Sequence, residues 1–294
     1  MKITVLTATY NREHLLPQLY ESINRNYESY SDFEWIIMDD GSVDDTKKIV
    51  SKWMKESKYK IEYHYQKNQG KMKAINNGLQ YVNGDIVVEM DSDDYFLDDA
   101  FKTINEDYEK LNNEHIYGII YKRKLIGKDN SVDSKLDGKI VKLFDLHNKY
   151  GYDFDMTLTF KADIRKKYQY QLEENEKFVT EARLYYKLDQ IYEGLLFKDK
   201  ELIVSEYMED GYSKNINKMF KSYPYGYLEY FKECLSYTTK DTLFKKRIYF
   251  VKHYILFSYL TNKSMMKCIK EVKGINKLLV ILLVIPGYIK SSRF

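Results

Sequence analysis

Residues 85–94 read DIVVEMDSDD, a mostly apolar run that ends in three carboxylates within four positions. A short apolar run rich in β-branched residues and bounded by polar ones is typical of a strand buried in a parallel sheet. Residues 33–42, FEWIIMDDGS, repeat this arrangement, and residues 3–11, ITVLTATYN, end in hydroxyl and amide groups. These stretches predict three strands whose carboxyl ends all carry polar side chains.

Helical patterns separate the predicted strands. Apolar residues recur at helical spacing over residues 15–23, 49–53 and 74–79, and another alternating strand is predicted over residues 61–65. Strands alternating with helices indicate right-handed βαβ units and a mostly parallel sheet. Since such a sheet binds ligands beyond the carboxyl ends of its strands, we expect the three polar clusters on one rim.

Length, cysteine count and charge exclude several classes of protein. The 294 residues allow one large domain, or one domain with an appendage. The two cysteines, Cys234 and Cys268, stand far apart, which excludes a disulfide scaffold or a zinc finger. A net charge of +3 gives no argument for a nucleic-acid partner. The glycine motifs of dinucleotide-binding and P-loop proteins are missing from the sequence.

Asp91, Asp93 and Asp94 form what we call the acidic cluster. Adjacent buried carboxylates raise each other's pKa, so the cluster calls for a cation. Oxygen ligands suit Mg²⁺ or Mn²⁺, which proteins often hold through one or two carboxylates plus substrate phosphates. The alternative is an acidic turn that begins a helix. Residues 39–42 are similarly either a turn with a helix cap or acceptors for a ribose or base.

The order and spacing of these motifs resemble a family 2 glycosyltransferase with the glycosyltransferase A fold. The matching residues are 3–12, 33–46, 68–78 and 84–94. The match covers about the first 100 residues and weakens after them. The resemblance implies an α/β fold with a Rossmann-like, mostly parallel central sheet flanked by helices. To this fold the chain adds a helical C-terminal appendage.

The resemblance also implies roles for individual residues on the rim. Donor-binding roles fall on Thr7, Tyr10, Asp39, Asp40, Lys71 and Asp91. Asp93 would bind the cation that bridges the donor diphosphate, with Asp94 close by as a second metal residue. For Lys71, which begins a helix after Gly70, a solvated helix position is an equally good interpretation.

An inverting transfer also needs a base that deprotonates the acceptor hydroxyl. The family places an acidic residue at the start of a helix in the second half of the fold, and Glu181 in the stretch TEAR is the best match. Glu181 is alternatively a simple helix-start carboxylate. Asp153 and Asp155, before a predicted strand over residues 156–160, are the competing carboxylates and otherwise would contact the acceptor.

The sequence predicts a catalytic domain followed by a C-terminal region. Residues 1–213 form the catalytic domain, with a nucleotide-sugar half (1–100) and an acceptor half (101–213). Residues 206–213 either close over the diphosphate with Gly211 as hinge or form a helix C-cap and turn. Residues 214–294 are helical, basic and aromatic. Their apolar run, residues 278–285, is shorter than the roughly 20 residues of a spanning helix. We expect it to contact a membrane surface; packing on the catalytic domain, or on a second subunit of a homo-oligomer, is the alternative.

The sequence thus predicts a metal-dependent (Mn²⁺ or Mg²⁺) inverting glycosyltransferase. Its donor is a nucleotide-sugar, with UDP favoured, and its acceptor a hydroxyl of a glycan or lipid-linked glycan in bacterial surface polysaccharide synthesis. The predicted location is cytoplasmic, at the inner face of the membrane. Two alternatives stay open: a nucleotidyltransferase acting on a sugar phosphate, and a non-catalytic membrane-bound partner of a transferase.

Overall fold

The computed structural model describes residues 1–127, 134–152, 155–173, 175–206 and 215–291. The chain divides into two compact units. The first unit comprises Met1–Val141, Asp153–Tyr170 and Tyr192–Tyr207. The second comprises Lys142–Tyr152, Gln171–Ile191 and Met208–Phe294.

Nine strands in the described residues form one sheet in the first unit. They are β1 (Ile3–Thr9), β2 (Phe33–Asp39), β3 (Lys60–Tyr65), β4 (Ile86–Glu89), β5 (Tyr95–Phe96), β6 (Ile116–Leu125), β7 (Ile140–Val141), β8 (Met156–Lys161) and β9 (Gly194–Ser205). The α-helices are α1 (Leu16–Ser29), α2 (Thr46–Glu56), α3 (Lys71–Gly78), α4 (Ala100–Glu109), α5 (Leu143–Asn148), α6 (Ala162–Lys167), α7 (Glu181–Ile191), α8 (Ile216–Ser222), α9 (Pro224–Tyr237), α10 (Phe244–Leu260), α11 (Met265–Glu271) and α12 (Gly274–Ser291).

The strand order is β3-β2-β1-β4-β8-β6-β9-β5, with β7 also paired to β9. The four strands β3, β2, β1 and β4 are parallel, so the predicted βαβ arrangement of the first third is confirmed. Beyond β4 the sheet is mixed, because β8 runs antiparallel to both β4 and β6. Helices flank this sheet, and the predicted α/β class is confirmed.

Glu34 carries a buried charge in the middle of this parallel region. Its side chain is fully buried and accepts hydrogen bonds from Lys2 Nζ (2.7 Å), Thr4 Oγ1 (2.9 Å) and the Asn83 backbone amide (2.8 Å). Burial alone would raise the pKa of Glu34, but these hydrogen bonds and the charge of Lys2 hold it below the ordinary glutamate value. The ionised carboxylate therefore ties β1 and β2 to the start of β4.

We expect Glu34→Gln to lower the free energy of unfolding by about 2 kcal/mol, since the buried network loses its negative charge and one of its two acceptor oxygens. The pKa of Glu34 is lower in the folded protein than in the unfolded chain, where it is about 4.3. The stabilisation by the ionised carboxylate is therefore complete above about pH 4.3 and is lost as the pH falls through the pKa of Glu34 in the folded protein. Urea unfolding at neutral and acidic pH measures both effects. Exposed Glu56, paired with Lys52 at 3.9 Å, supplies the control Glu56→Gln. Equal stabilities of the two variants at neutral pH would contradict the prediction.

The second unit contains α5, α7 and the C-terminal helices α8–α12. The predicted boundary after residue 213 differs from this division, which groups residues 142–152 and 171–191 with the C-terminal helices. Side-chain contacts explain the grouping. Arg183 of α7 pairs with Glu233 of α9 at 3.0 Å, and the ring of Phe144 in α5 stacks with Phe250 of α10 at 6.2 Å.

Three of the six aromatic residues of α10 belong to the core of this unit. The sequence pattern, in which lysines alternate with Tyr249, Phe250, Tyr254 and Phe257, predicts that these four rings contact a membrane. In the structure Phe250, Tyr254 and Phe257 are buried, and of the four only Tyr249 is exposed. Phe257 stacks with Tyr227 at a centroid distance of 5.2 Å. Aromatic rings supply the large apolar area that packs α9 against α10.

The apolar C-terminal run is part of a longer helix than the sequence pattern predicts. Helix α12 begins at Gly274 and continues through Pro286 to Ser291, a total of 18 residues. Within the described residues it is the one helix long and apolar enough to cross a membrane by length and composition, and 22% of it is buried. The prediction that this segment is too short to cross a bilayer is therefore wrong as far as helix length is concerned.

Candidate functional site

The rim of the parallel sheet brings the predicted polar clusters together. In the parallel pairing of β1 with β2, Thr9 lies opposite Asp39, and in the pairing of β1 with β4, Leu6 lies opposite Glu89. Residues 10–11, 40–42 and 91–94 therefore leave the sheet at the same edge. This is the edge where parallel α/β sheets bind ligands.

Asp91 and Lys71 form an ion pair on this rim. Lys71 begins α3, and its Nζ lies 2.6 Å from Asp91 Oδ1. Burial would raise the pKa of Asp91, but the positive charges of Lys71 and Arg123 lower it, so Asp91 is ionised. Lys71 therefore contacts the acidic cluster through Asp91, and its role in donor binding stays a prediction.

The other two carboxylates of the acidic cluster have different surroundings. Asp94 is 4% exposed and pairs with Arg123 Nη1 of β6 at 3.0 Å. Burial raises the pKa of Asp94 to about 7, against the charge of Arg123. Asp93 is partly exposed and forms no ion pair with any residue in the described part of the chain. Its pKa is raised, first by burial and then by the negative charge of Asp91.

A cation fits the chemistry of this cluster. Asp91 and Asp93 repel each other, and their oxygen atoms are the ligands that Mg²⁺ and Mn²⁺ prefer. Within the described ranges, no group of three or more His, Cys, Asp or Glu side chains is arranged to hold a metal by itself. A metal held by one or two carboxylates would complete its coordination with substrate phosphates and water.

Asp40 organises the loop that leads to Lys71. It is buried, and its Oδ1 accepts hydrogen bonds from Gln66 Nε2 (2.8 Å) and the Gln69 amide (2.8 Å), while Oδ2 accepts one from the Gly70 amide (2.7 Å). Gly70 has φ +94°, a conformation that favours glycine. The carboxylate predicted to hold the nucleoside is thus engaged by its own chain, where it fixes the start of α3.

We expect Asp40→Asn to destabilise the fold by about 1–3 kcal/mol, because the new amide turns an N–H group toward backbone N–H donors. Donor affinity should fall as well, since residues 66–70 position Lys71. Urea unfolding and nucleotide titration measure the two effects. The control is Asp45→Asn, whose side chain pairs only with Lys48 on the surface. An Asp40 variant as stable as the Asp45 variant would show that the loop does not depend on this carboxylate.

Asp39 and Thr7 are more deeply buried than the predicted donor contacts suggest. Asp39 accepts hydrogen bonds from Tyr63 Oη (2.6 Å) and the Ser42 amide (2.7 Å). Thr7 is fully buried, and its hydroxyl accepts a hydrogen bond from Trp35 Nε1 at 3.1 Å. The alternation of side chains along β1 turns Thr7 into the core, so this placement gives no support to a contact between its side chain and a nucleoside.

Tyr10, in contrast, is 47% exposed on the rim. The next residue, Asn11, has φ +52° and links two loops: its amide donates to Ser42 Oγ (2.9 Å), and its Oδ1 accepts from the Val43 amide (2.9 Å). Hydrogen bonds of this kind hold a left-handed conformation that asparagine tolerates. The loop before α1 is therefore held against the loop before α2, with Tyr10 presented to solvent.

A buried network holds β4 and α3 in place behind the acidic cluster. Glu89, at the end of β4, accepts hydrogen bonds from Arg165 Nε and from Tyr170 Oη, the latter at 2.7 Å. The backbone of Tyr170 exchanges two hydrogen bonds with the side chain of Asn76 in α3, at 2.8 and 2.9 Å. The network thus connects the two elements that carry the Asp91–Lys71 pair.

The remaining predicted residues belong to the second half of the chain. Asp155 belongs to the first unit, where its carbonyl oxygen accepts a hydrogen bond from the Arg123 amide at 3.2 Å. Glu181 is the first residue of α7 in the second unit. Asp153 lies outside the described residues, as do residues 207–213 of the predicted closing loop 206–213, Gly211 included.

Sequence reasoning missed Arg123, Gln66 and Tyr63. Arg123 had a local signal, the basic run Lys122-Arg123-Lys124 at the end of an otherwise apolar strand. Gln66 and Tyr63 had none, because their partners lie 24 to 26 residues earlier in the chain.

The family model described as "Glycosyl transferase family 2" matches residues 4–192. With this fold and rim, the chain belongs to that family and is a transferase enzyme. It is 29% identical to the GalNAc(5)-diNAcBac-PP-undecaprenol beta-1,3-glucosyltransferase of Campylobacter jejuni, over 97% of this chain and 94% of that protein. It is 32% identical to the poly(ribitol-phosphate) beta-N-acetylglucosaminyltransferase TarS of Staphylococcus aureus, over 35% of this chain and 18% of TarS.

Solved structures share the fold. A crystal structure of S. aureus TarS 1–349 in complex with UDP-GlcNAc aligns with a TM-score of 0.67 at 17% identity, covering all of this chain and 91% of that one. The mannosyltransferase PcManGT from Pyrobaculum calidifontis, in complex with GDP-Man and Mn²⁺, aligns with a TM-score of 0.59 at 14% identity, covering 99% and 83%. The predicted glycosyltransferase A fold is confirmed by these likenesses.

Proposed function

We propose that this enzyme moves a sugar, with inversion, from a UDP-sugar to a hydroxyl of a lipid-linked glycan in bacterial surface polysaccharide synthesis. The observation that carries the proposal is the acidic cluster after β4, where the carboxylate of Asp91 pairs with the ammonium group of Lys71 and repels the carboxylate of Asp93. Two relatives support the finer details: one is named for an undecaprenol-linked substrate, and the solved TarS complex contains UDP-GlcNAc.

A divalent cation, Mn²⁺ or Mg²⁺, belongs to the proposal. Asp93 would be its main protein ligand, because Asp91 is paired with Lys71 and Asp94 with Arg123. The bound cation would neutralise charge on the departing diphosphate. Lys71, at the N-terminus of α3, would contact a phosphate oxygen, since backbone N–H groups and positive charge at a helix start both favour anions.

The nucleoside would lie toward Tyr10, the exposed aromatic side chain of the rim. Glu181 would accept the proton of the acceptor hydroxyl as that oxygen attacks the anomeric carbon. Its position as the first residue of a helix matches the position that the family resemblance assigns to the base. Asp155 and Asp153 are the alternatives for this role. The family match and the missing glycine- and lysine-rich opening loop both disfavour a nucleotidyltransferase.

The direct test measures nucleotide release. Purified enzyme is incubated with UDP-glucose, UDP-galactose, UDP-N-acetylglucosamine, UDP-N-acetylgalactosamine and GDP-mannose, each with an undecaprenyl-diphosphate-linked glycan and Mn²⁺. We expect release of UDP from one UDP-sugar, dependent on acceptor and abolished by EDTA. Release of GDP would overturn the assignment of UDP as the donor nucleotide. Undiminished turnover in EDTA would overturn the proposed requirement for a divalent cation.

A further inference from the structure

We propose that α12 lies in the plane of an anionic membrane surface, and that one apolar face of this helix enters the lipid. The α12 stripe consists of the apolar side chains of Ile275, Leu278, Ile281, Leu282 and Ile285, each between 47% and 70% exposed. At roughly 100° per residue these positions, with Pro286, fall within about 140° of the helix circumference. This inference rests on the proposed function only for the purpose of membrane binding, which is to bring the enzyme to a lipid-linked acceptor.

Basic side chains flank the stripe. Lys277 and Lys290 are exposed and lie about 40° beyond its two opposite edges. Between these edges the exposed surface of α12 carries only apolar residues and Gly274. Lysines at the boundary of an apolar face extend their ammonium groups toward phosphate headgroups while their stems stay in the apolar layer. This charge complementarity favours a bilayer of anionic lipid as the occupant.

The opposite face of α12 is committed to the protein. Val280 and Val284 are buried, and a Cβ atom at Gly287 would lie 2.5 Å from Ile255 Cγ2 of α10, so a larger residue there would force Ile255 to move. Asn276 is buried, accepts a hydrogen bond from Arg247 Nη1 (2.6 Å) and donates one to the Leu235 carbonyl (2.8 Å).

These contacts decide between an in-plane and a spanning helix. To cross the bilayer, α12 would have to leave α10, and Arg247 would lose a partner in a buried position. An in-plane helix keeps every contact with α10 and buries only the stripe.

Binding to vesicles, measured by flotation without nucleotide, tests the surface separately from sugar transfer. We expect the full chain to bind vesicles of equal parts phosphatidylglycerol and phosphatidylcholine more tightly than phosphatidylcholine alone. Leu282→Glu should weaken binding about tenfold and Lys277→Gln about fivefold. The matched control is Met54→Glu, which adds the same charge at a 46% exposed apolar position of α2 and should bind as the parent does.

Depth measurements separate the in-plane helix from a spanning one. Ile275 and Leu282 lie on the same side of α12, about 10 Å apart along its axis. With tryptophan placed at each in turn, quenching by lipids brominated at defined depths should report one shared shallow depth. A much deeper position for Leu282→Trp than for Ile275→Trp would overturn the in-plane helix.

Two further outcomes would contradict the proposal that the stripe binds a membrane. One is equal binding of the parent and Leu282→Glu to anionic vesicles. The other is a parent that fails to bind vesicles but sediments as a dimer which Leu282→Glu dissociates, since a second copy of the chain would then cover the stripe. Neither outcome bears on sugar transfer, because vesicle binding and sedimentation are measured without donor.

Discussion

Replacing Asp93 by asparagine is expected to lower kcat/KM about a thousandfold, a loss of about 4 kcal/mol of transition-state stabilisation. The substitution keeps the size of the side chain and removes one negative charge from the acidic cluster. Because Asp91 is paired with Lys71 and Asp94 with Arg123, neither is positioned to replace Asp93 without giving up a cation partner. Initial rates of UDP release in Mn²⁺ measure the effect.

Binding measurements show whether this loss acts through the metal. Titration of the wild type with UDP should give tighter binding in Mn²⁺ than in EDTA, and Asp93→Asn should bind UDP equally weakly in both. The matched control is Asp98→Asn, which removes a carboxylate five residues later whose side chain is 75% exposed and paired with Arg25. If Asp93→Asn binds UDP in Mn²⁺ as tightly as the wild type does, Asp93 is not the metal ligand.

The parallel half of the sheet is predictable from sequence because β1, β2 and β4 are short, mostly apolar runs followed by polar residues, and β3 alternates apolar and polar residues. Strand β9 is not predictable in this way. Its sequence, GLLFKDKELIVS, contains four charged residues in the middle, and its pairing with β6 shifts register around Tyr121 and Lys122. The charges interrupt both the apolar run and the alternation, so the pattern indicates two fragments where the structure has one strand.

The site shows a similar division between local and distant signals. The acidic cluster could be found because its three carboxylates are adjacent in sequence. The individual environments of Asp91 and Asp94 could not, since they depend on Lys71 and Arg123, which lie 20 and 29 residues away. The role of Asp40 was hidden for the same reason, because its acceptor oxygens are used by a loop about 30 residues later in the chain.

Glu181→Gln is expected to leave donor binding unchanged and to lower the rate of transfer by about 10²–10⁴-fold, the usual contribution of a general base. Glutamine has nearly the same shape and keeps the start of α7, but it cannot accept a proton from the acceptor hydroxyl. Titration with UDP in Mn²⁺ measures donor binding, and single-turnover kinetics with the lipid-linked acceptor measure transfer.

The size of the effect separates the base from a helix-start carboxylate. A carboxylate in the first turn stabilises a helix by only about 0.3–1 kcal/mol through the helix dipole, so a purely structural Glu181 would shift the unfolding midpoint slightly and leave turnover near that of the wild type. The control Glu229→Gln removes a carboxylate of the same unit that pairs with Lys232 at 2.8 Å. This control should shift the unfolding midpoint no more than a structural Glu181 would, and it should leave turnover near that of the wild type. Wild-type turnover in Glu181→Gln would move the base to Asp153 or Asp155, and Asp155→Asn would then be the variant that binds UDP without transferring the sugar.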